Sequence, residues 1–267
     1  MNGDRVFGFN TLVKKYGFDM TTPKFNLSQK IRWVRLLIKG FFSSFEKDTA
    51  NSILQMSDAK NPVILDIGAN IGLFTKAFAR SSRKPKRIIS VEPSTYVYEI
   101  LKRVSRNLPN VTCFKVAISN TRGFANLNMP VKPSGSIRVG LSHIGKSEQK
   151  DQLTEKVKTN TLDGFIDENV KEKIDIVKID VEGAEGLVLS GARKLLQDDR
   201  PIWFVEISDF GNRFNGRAED IFENFLALNY EPFVYTLDGR FEKKTMLETG
   251  NNYLFIPEEK IKSEVRH

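Results

Sequence analysis

Cysteine and histidine are nearly absent from this chain. The single cysteine, Cys113, excludes an intrachain disulfide framework. Two histidines, His143 and the terminal His267, leave too few ligands for a zinc site built from His and Cys, and no metal site is expected. Only His143 could serve an internal catalytic triad. No stretch of about 18 uninterrupted apolar residues occurs, so no transmembrane helix is predicted. The first residues, Met1 to Gly17, hold no apolar signal core with a small-residue cleavage site, which makes a cytoplasmic placement the simplest expectation. Internal repeats and low-complexity tracts do not stand out.

What remains is the composition of a folded domain. Hydrophobic residues at 40% and charged residues at 28% exclude wholesale disorder. The 267 residues suit one large domain, or one domain with an elaborated end. Lys and Arg number 41 against 33 Asp and Glu, a net charge of +8. That favours anionic partners, such as phosphorylated small molecules, nucleic acid or an anionic membrane face, without choosing among them. Nothing in the composition fixes an oligomeric state.

The chain divides near residue 61. Residues 1–60 read as a helical extension. Between Lys30 and Phe45, the residues Ile31, Val34, Ile38, Phe41, Phe42 and Phe45 share one helical face, and Arg32, Arg35 and Lys39 share another. Such a helix either packs its apolar stripe on the domain, the commoner arrangement, or lies on a membrane as a peripheral contact.

Residues 61–267 change pattern. Short apolar runs at Val63–Ile67, Arg87–Glu92, Val111–Ile118, Ile174–Asp180 and Ile202–Ile207 suit strands buried on both faces. Helical periodicities lie between most of them, which predicts an α/β fold with a parallel sheet covered on both sides. Glu231–Thr236 and Asn251–Ile256 predict a closing antiparallel pair. The polar, glycine-bearing segment 120–160 reads as one or two strands plus a flexible substrate-side insertion.

Two motifs carry chemistry. In Leu65-Asp-Ile-Gly-Ala-Asn-Ile-Gly72 a strand ends in an acid and turns through glycines into a helix. A dinucleotide fingerprint would want a glycine where Asn70 stands, and no Gly-Lys-Ser/Thr follows for a triphosphate. Asp66 beside Gly68 and Gly72 suits a cationic ligand. S-adenosylmethionine, with a sulfonium, an ammonium and no phosphate, fits that description. Glu92 ends the second strand, where an acid can accept hydrogen bonds from ribose hydroxyls. The plain alternative is that Asp66 and Glu92 are strand-end turn residues. The second motif, Lys178-Ile-Asp-Val-Glu-Gly-Ala-Glu185, places Asp180 and Glu182 on one side of an extended segment. Glu185 reads as a complement to a helix dipole.

Val63 to Phe74, Val91-Glu-Pro93, Thr161-Leu-Asp163 and Val177 to Glu185, in that order, resemble the FkbM family of S-adenosylmethionine-dependent methyltransferases. The resemblance covers roughly residues 61–210. It implies a Rossmann-like, doubly wound, seven-stranded sheet of order 3-2-1-4-5-7-6 with the last strand antiparallel. It implies methylation of a hydroxyl on a carbohydrate, glycolipid or natural-product small molecule. Carried over by position, Asp66, Gly68, Asn70 and Gly72 would line the methionine end of the cofactor, and Glu92 would hold the ribose. Pro93 and Ser94 would flank the adenosine, Val116 and Ala117 would meet the adenine edge, and Asp180 would sit near the sulfonium. The family often has histidine two residues after the fifth-strand acid, whereas Glu206 here is followed by Ile207 and Ser208. Histidine catalysis is therefore not expected there. Asp180, Glu182 and Glu206 become the candidate bases, with His143 in the insertion a further one.

The alternatives are weaker. A nucleic-acid methyltransferase would usually carry an Asn/Asp-Pro-Pro-Tyr-like segment where Asp180-Val-Glu-Gly183 stands. A dinucleotide-dependent oxidoreductase would want the missing glycine and would not predict the antiparallel ending. A membrane-surface scaffold would rest on the 30–45 helix alone.

Overall fold

A computed structural model describes residues 25–145, 151–207, 217–236 and 239–261. Ser208 and His267 lie outside the described residues. Helices α1 (Leu27–Phe42) and α2 (Lys47–Met56) precede strand β1 (Val63–Ile67). Then come α3 (Leu73–Arg80), β2 (Arg87–Val91), α4 (Thr95–Val104) and β3 (Val111–Phe114). Four strands follow: β4 (Ala117–Ile118), β5 (Gly123–Pro130), β6 (His143–Ile144) and β7 (Gln152–Asn160). The chain returns through α5 (Leu162–Asn169), β8 (Ile176–Ile179), α6 (Glu185–Ser190) and β9 (Ile202–Ile207). It closes with α7 (Ala218–Ala227), β10 (Tyr230–Tyr235), β11 (Phe241–Lys243) and β12 (Asn251–Pro257).

The main sheet runs β11-β10-β12-β9-β8-β1-β2-β3. Seven of these strands keep the expected series, with β12 antiparallel between β9 and β10. The sheet nevertheless has eight strands, because Phe241–Lys243 folds back antiparallel on β10. Burial on both faces explains the unbroken apolar runs. Along β1, Val63, Leu65 and Ile67 enter one core cluster and Ile64 the opposite one, the alternation that a strand imposes. Residues of α5, α6 and α7 fill the first cluster; those of α2 and α3 fill the second.

The 120–160 segment corrects its expectation. Instead of one or two strands and a flexible loop, it contributes most of a four-stranded sheet of order β4-β7-β5-β6. Leu127 and Val157 point inward while Asn126 and Lys156 face out. One wet face makes such a sheet read as a polar loop. The sheet is tied to α4 by Glu155, whose carboxylate accepts the backbone N–H of Thr95 at 3.0 Å and also its hydroxyl.

Helix α1 opens with a capping box, Asn26 and Gln29 exchanging 2.9 Å hydrogen bonds. Its buried face is Gln29, Trp33, Leu36, Leu37 and Gly40. The stripe expected to pack on the domain is split: Val34 and Phe41 pack partly buried against the core, whereas Ile31, Ile38, Phe42 and Phe45 are exposed. The docking chemistry decides this. The Trp33 indole donates to the Tyr96 carbonyl at 2.9 Å. Gly40 meets α4 so closely that a Cβ would stand 2.7 Å from Val104. Buried Lys76 then donates to the carbonyls of Gly40 (2.6 Å), Phe41 (3.1 Å) and Ser43 (2.6 Å). It thus satisfies the orphan acceptors at the helix end.

Candidate active site

Strands β1 and β8 are parallel neighbours. They flank the point where the strand order reverses, the place where open α/β sheets bind ligands. The turns leaving them press together. Gly68 has φ 73°, and a Cβ on it would fall 1.8 Å from the Asp180 carbonyl oxygen, so only glycine permits the contact. Gly72, with φ 84°, starts α3.

A cavity opens at these turns. Of the residues expected at a cofactor, Gly68, Asn70, Glu92, Pro93, Val116, Ala117 and Asp180 line it. Asp66, Gly72 and Ser94 are not among its lining residues. Ser94 is buried, its hydroxyl donating to the Met129 sulfur.

Asp66 requires the main correction. It is fully buried and lies on the Ile64 side of β1, under α3. Its carboxylate accepts the Thr75 hydroxyl at 2.6 Å and stands 3.4 Å from the Lys178 ammonium. The cation it meets is the protein's own.

Glu92 keeps a position at the cavity. One carboxylate oxygen accepts the N–H of Asn70 at 3.1 Å and the other that of Ser94 at 2.9 Å. Burial pushes its pKa up to about 7, against the lowering effect of those two N–H groups. Glu182 and Asp180 also line the cavity, and no Lys or Arg does among the described residues. A lining with carboxylates and no Lys or Arg, the one nearby ammonium (Lys178) being already engaged by Asp66 and Asp180, fits a positively charged ligand bearing hydroxyls and leaves a pyrophosphate unneutralised. The residues present therefore fit S-adenosylmethionine.

The loop after β8 is held from within. Buried Glu185 accepts the N–H groups of Val181 (3.2 Å) and Gly183 (3.1 Å). Beyond complementing the α6 dipole, it shapes the loop that carries Asp180 and Glu182. Thr161 and Asp163 do comparable work away from both cavities. Thr161 caps α5, and Asp163 accepts the N–H groups of Lys194 and Leu195.

A second, larger cavity also meets Asp180 and is lined by Phe45, Glu46, Lys178, Glu206, Tyr235, Asn251 and Asn252 among others. Asp180 lines both cavities. Glu206 joins it here, whereas Glu182 lines only the first. The pKa of Glu206 is pushed up to about 8, first by burial and then by the charge of Asp180 and a hydrogen bond to it. Burial likewise raises Glu46. Lys178 stands 3.3 Å from Asp180 and donates to the Gly68 carbonyl at 2.9 Å. Burial alone would lower its pKa, but Asp180 and Asp66 outweigh it and the pKa is raised.

The sequence did not assign Lys178, Glu46, Phe45, Tyr235, Asn251 or Asn252 to the site. Only Lys178 had left a signal, a cation inside a run of buried strand residues. His143, expected in a flexible loop, is buried and lines the first cavity, its Nδ1 3.3 Å from the Leu141 carbonyl.

Comparison with known proteins adds the family. Residues 66–232 match the methyltransferase FkbM domain. The chain is 28% identical over 186 residues to the 2-O-methyltransferase NoeI of Sinorhizobium fredii, a match covering 64% of this chain and 76% of that protein. It is 30% identical over 158 residues to methyltransferase sdnD of Sordaria araneosa, covering 49% of this chain and 60% of that one. A crystal structure of a methyltransferase FkbM from Methylobacillus flagellatus superposes with a TM-score of 0.47 at 14% identity, over 73% of this chain and 43% of that chain. With the domain match spanning more than half of its length, this chain belongs to the FkbM family of methyltransferases, whose methyl donor is S-adenosylmethionine.

Proposed function

We propose that this protein transfers a methyl group from S-adenosylmethionine to a hydroxyl of a carbohydrate, glycolipid or natural-product small molecule. One observation carries the reading: Asp180 lines both cavities, and the raised carboxyl of Glu206 stands beside it. The smaller cavity is then the donor chamber and the larger the acceptor chamber. The similarity to NoeI, a 2-O-methyltransferase, supports a hydroxyl acceptor.

When bound, the cofactor supplies an already activated methyl group. The protein's residues do the rest. Glu92 takes the ribose hydroxyls, while Pro93, Val116 and Ala117 bound the adenosine. Asp180 and Glu182 face its positive end. Asn251 and Asn252 offer amide partners to acceptor hydroxyls, and Phe45 and Tyr235 offer apolar faces to a ring. Glu206, once ionised, accepts the acceptor's hydroxyl proton. Asp180 makes it a stronger base by opposing that ionisation. Positioning contributes more than the base: general-base help is worth roughly 10²–10⁴-fold, whereas orientation reaches effective molarities of about 10⁵–10⁸ M.

A nucleic-acid acceptor would bring phosphates toward Glu46, Asp180 and Glu206, which outnumber the one lining cation, Lys178, itself already paired with Asp66 and Asp180, an arrangement that disfavours them. The same acids disfavour an acceptor phosphorylated next to the reacting hydroxyl. Calorimetry with S-adenosylmethionine tests the core of the reading. Saturable binding is expected, and its absence overturns the proposal. Glu206→Gln should keep donor binding and lose about 10²–10⁴-fold in methyl transfer.

A further inference from the structure

We propose that α1 docks on an anionic lipid bilayer and brings the mouth of the acceptor chamber to the bilayer surface. Leu27, Ile31, Ile38 and Phe42 recur at helical spacing on one side of α1, and all are exposed, Phe42 by 82%. This side is opposite Trp33, Leu36, Leu37 and Gly40, through which the helix packs on its own domain. The solvent side of a packed helix is normally polar, so a stripe of four large apolar residues there marks a contact surface.

Charge selects the occupant. Helix α1 contains Lys30, Arg32, Arg35 and Lys39 and no acidic residue. Arg35 and Lys39 are exposed beside the stripe. An apolar stripe that shares its helix with four cations and no acid matches acyl chains beneath anionic headgroups. An apolar groove on a partner protein would have no need of the cations. The helix is also held rigidly for the task, since Lys76 ties its last carbonyls to α3. Among the described residues no helix is long and apolar enough to cross a membrane, so the contact is peripheral.

The stripe continues into Phe45, 80% exposed in the turn after α1, which also lines the acceptor chamber. A docked molecule therefore opens that chamber toward the headgroups and favours a hydroxyl carried by a membrane-borne acceptor. This last consequence rests on the proposed function; the docking does not.

Flotation of the full chain with vesicles tests it. One set is phosphatidylcholine alone and the other contains roughly one third phosphatidylglycerol. At low salt, binding to the anionic set should exceed that to the neutral set by about tenfold or more, and high salt should erase the difference. Two double variants, Arg35→Gln with Lys39→Gln and Ile38→Ser with Phe42→Ser, should each lose about tenfold in vesicle binding. Their thermal midpoints and S-adenosylmethionine binding should stay those of the parent, because these side chains are exposed. An unmodified chain that ignores anionic vesicles, or variants that float equally well, would overturn the docking. So would a dimer that Ile38→Ser with Phe42→Ser turns into monomer, which would make a second copy the occupant. Flotation that appears only after residues 1–24 are removed would assign the stripe to that segment and also overturn it. Loss of S-adenosylmethionine binding in the unmodified chain would sink the proposed function and leave the vesicle result standing.

Discussion

The ammonium of Lys178 stands 3.4 Å from the carboxylate of Asp66, and both side chains are buried. Their residues face each other in the β1–β8 register. The pair joins the turn after β1 to the loop after β8, because Lys178 also reaches Asp180 and the Gly68 carbonyl. The charged network thus aligns the two turns that line the first cavity.

Removing one partner of a buried pair strands the other's charge, at a cost of about 3–5 kcal/mol. Lys178→Met should destabilise the protein by about that amount in denaturant unfolding. Adding Asp66→Asn should recover part of the loss. A double variant no more stable than the single would show that the pair is not coupled.

Glu206 sets a pH dependence. Burial and Asp180 favour its protonated form up to about pH 8, and only the ionised form can take a proton. The methyl-transfer rate should therefore rise with pH through that region. Asp180→Asn removes the opposing charge, so the rising limb should move to lower pH. A limb that stays in place would assign the titration to another group.

Glu92 should release a proton when the donor binds. Its pKa is raised to about 7 by burial, and hydroxyls donating to the carboxylate favour the ionised form and draw the pKa down. Near about pH 6.5, calorimetry in buffers of different ionisation enthalpy should record proton release. Glu92→Gln should abolish it and weaken binding by roughly 1.5–3 kcal/mol. Identical heats in all buffers would refute the contact.

Gly68→Ala tests the close approach of the two turns. The added methyl would lie 1.8 Å from the Asp180 carbonyl, at a residue with positive φ. Strain and overpacking together predict a loss of about 2–4 kcal/mol in stability. Donor binding should weaken as well, because Asp180 must move. A thermal midpoint equal to that of the parent would contradict the geometry.

Several parts of the site were legible in the residues alone. The glycine turn after β1 and the acid ending β2 pointed to residues that do line the first cavity, because a Gly-rich strand-to-helix turn has few backbone solutions. Asp180 and Glu206 were legible as strand-end acids, though nothing local could say that they meet. The orientation of Asp66 was not legible: both faces of β1 are buried, so the apolar pattern does not say which face carries the acid. The 120–160 sheet was hidden by its wet face, and with it the burial of His143.

The sequence by itself determined the periodicities, the chain order of strands and helices, and the family, since these are written in residues close together along the chain. Only the tertiary structure decided that Asp66 answers to Lys178, 112 positions away, and that α1 packs by Trp33 and leaves Ile38 and Phe42 outside. Helix α1 carries apolar residues on two opposite sides, and local pattern ranks neither. The choice falls to the hydrogen bonds and close contacts that a particular neighbour provides, here Tyr96, Val104 and Lys76.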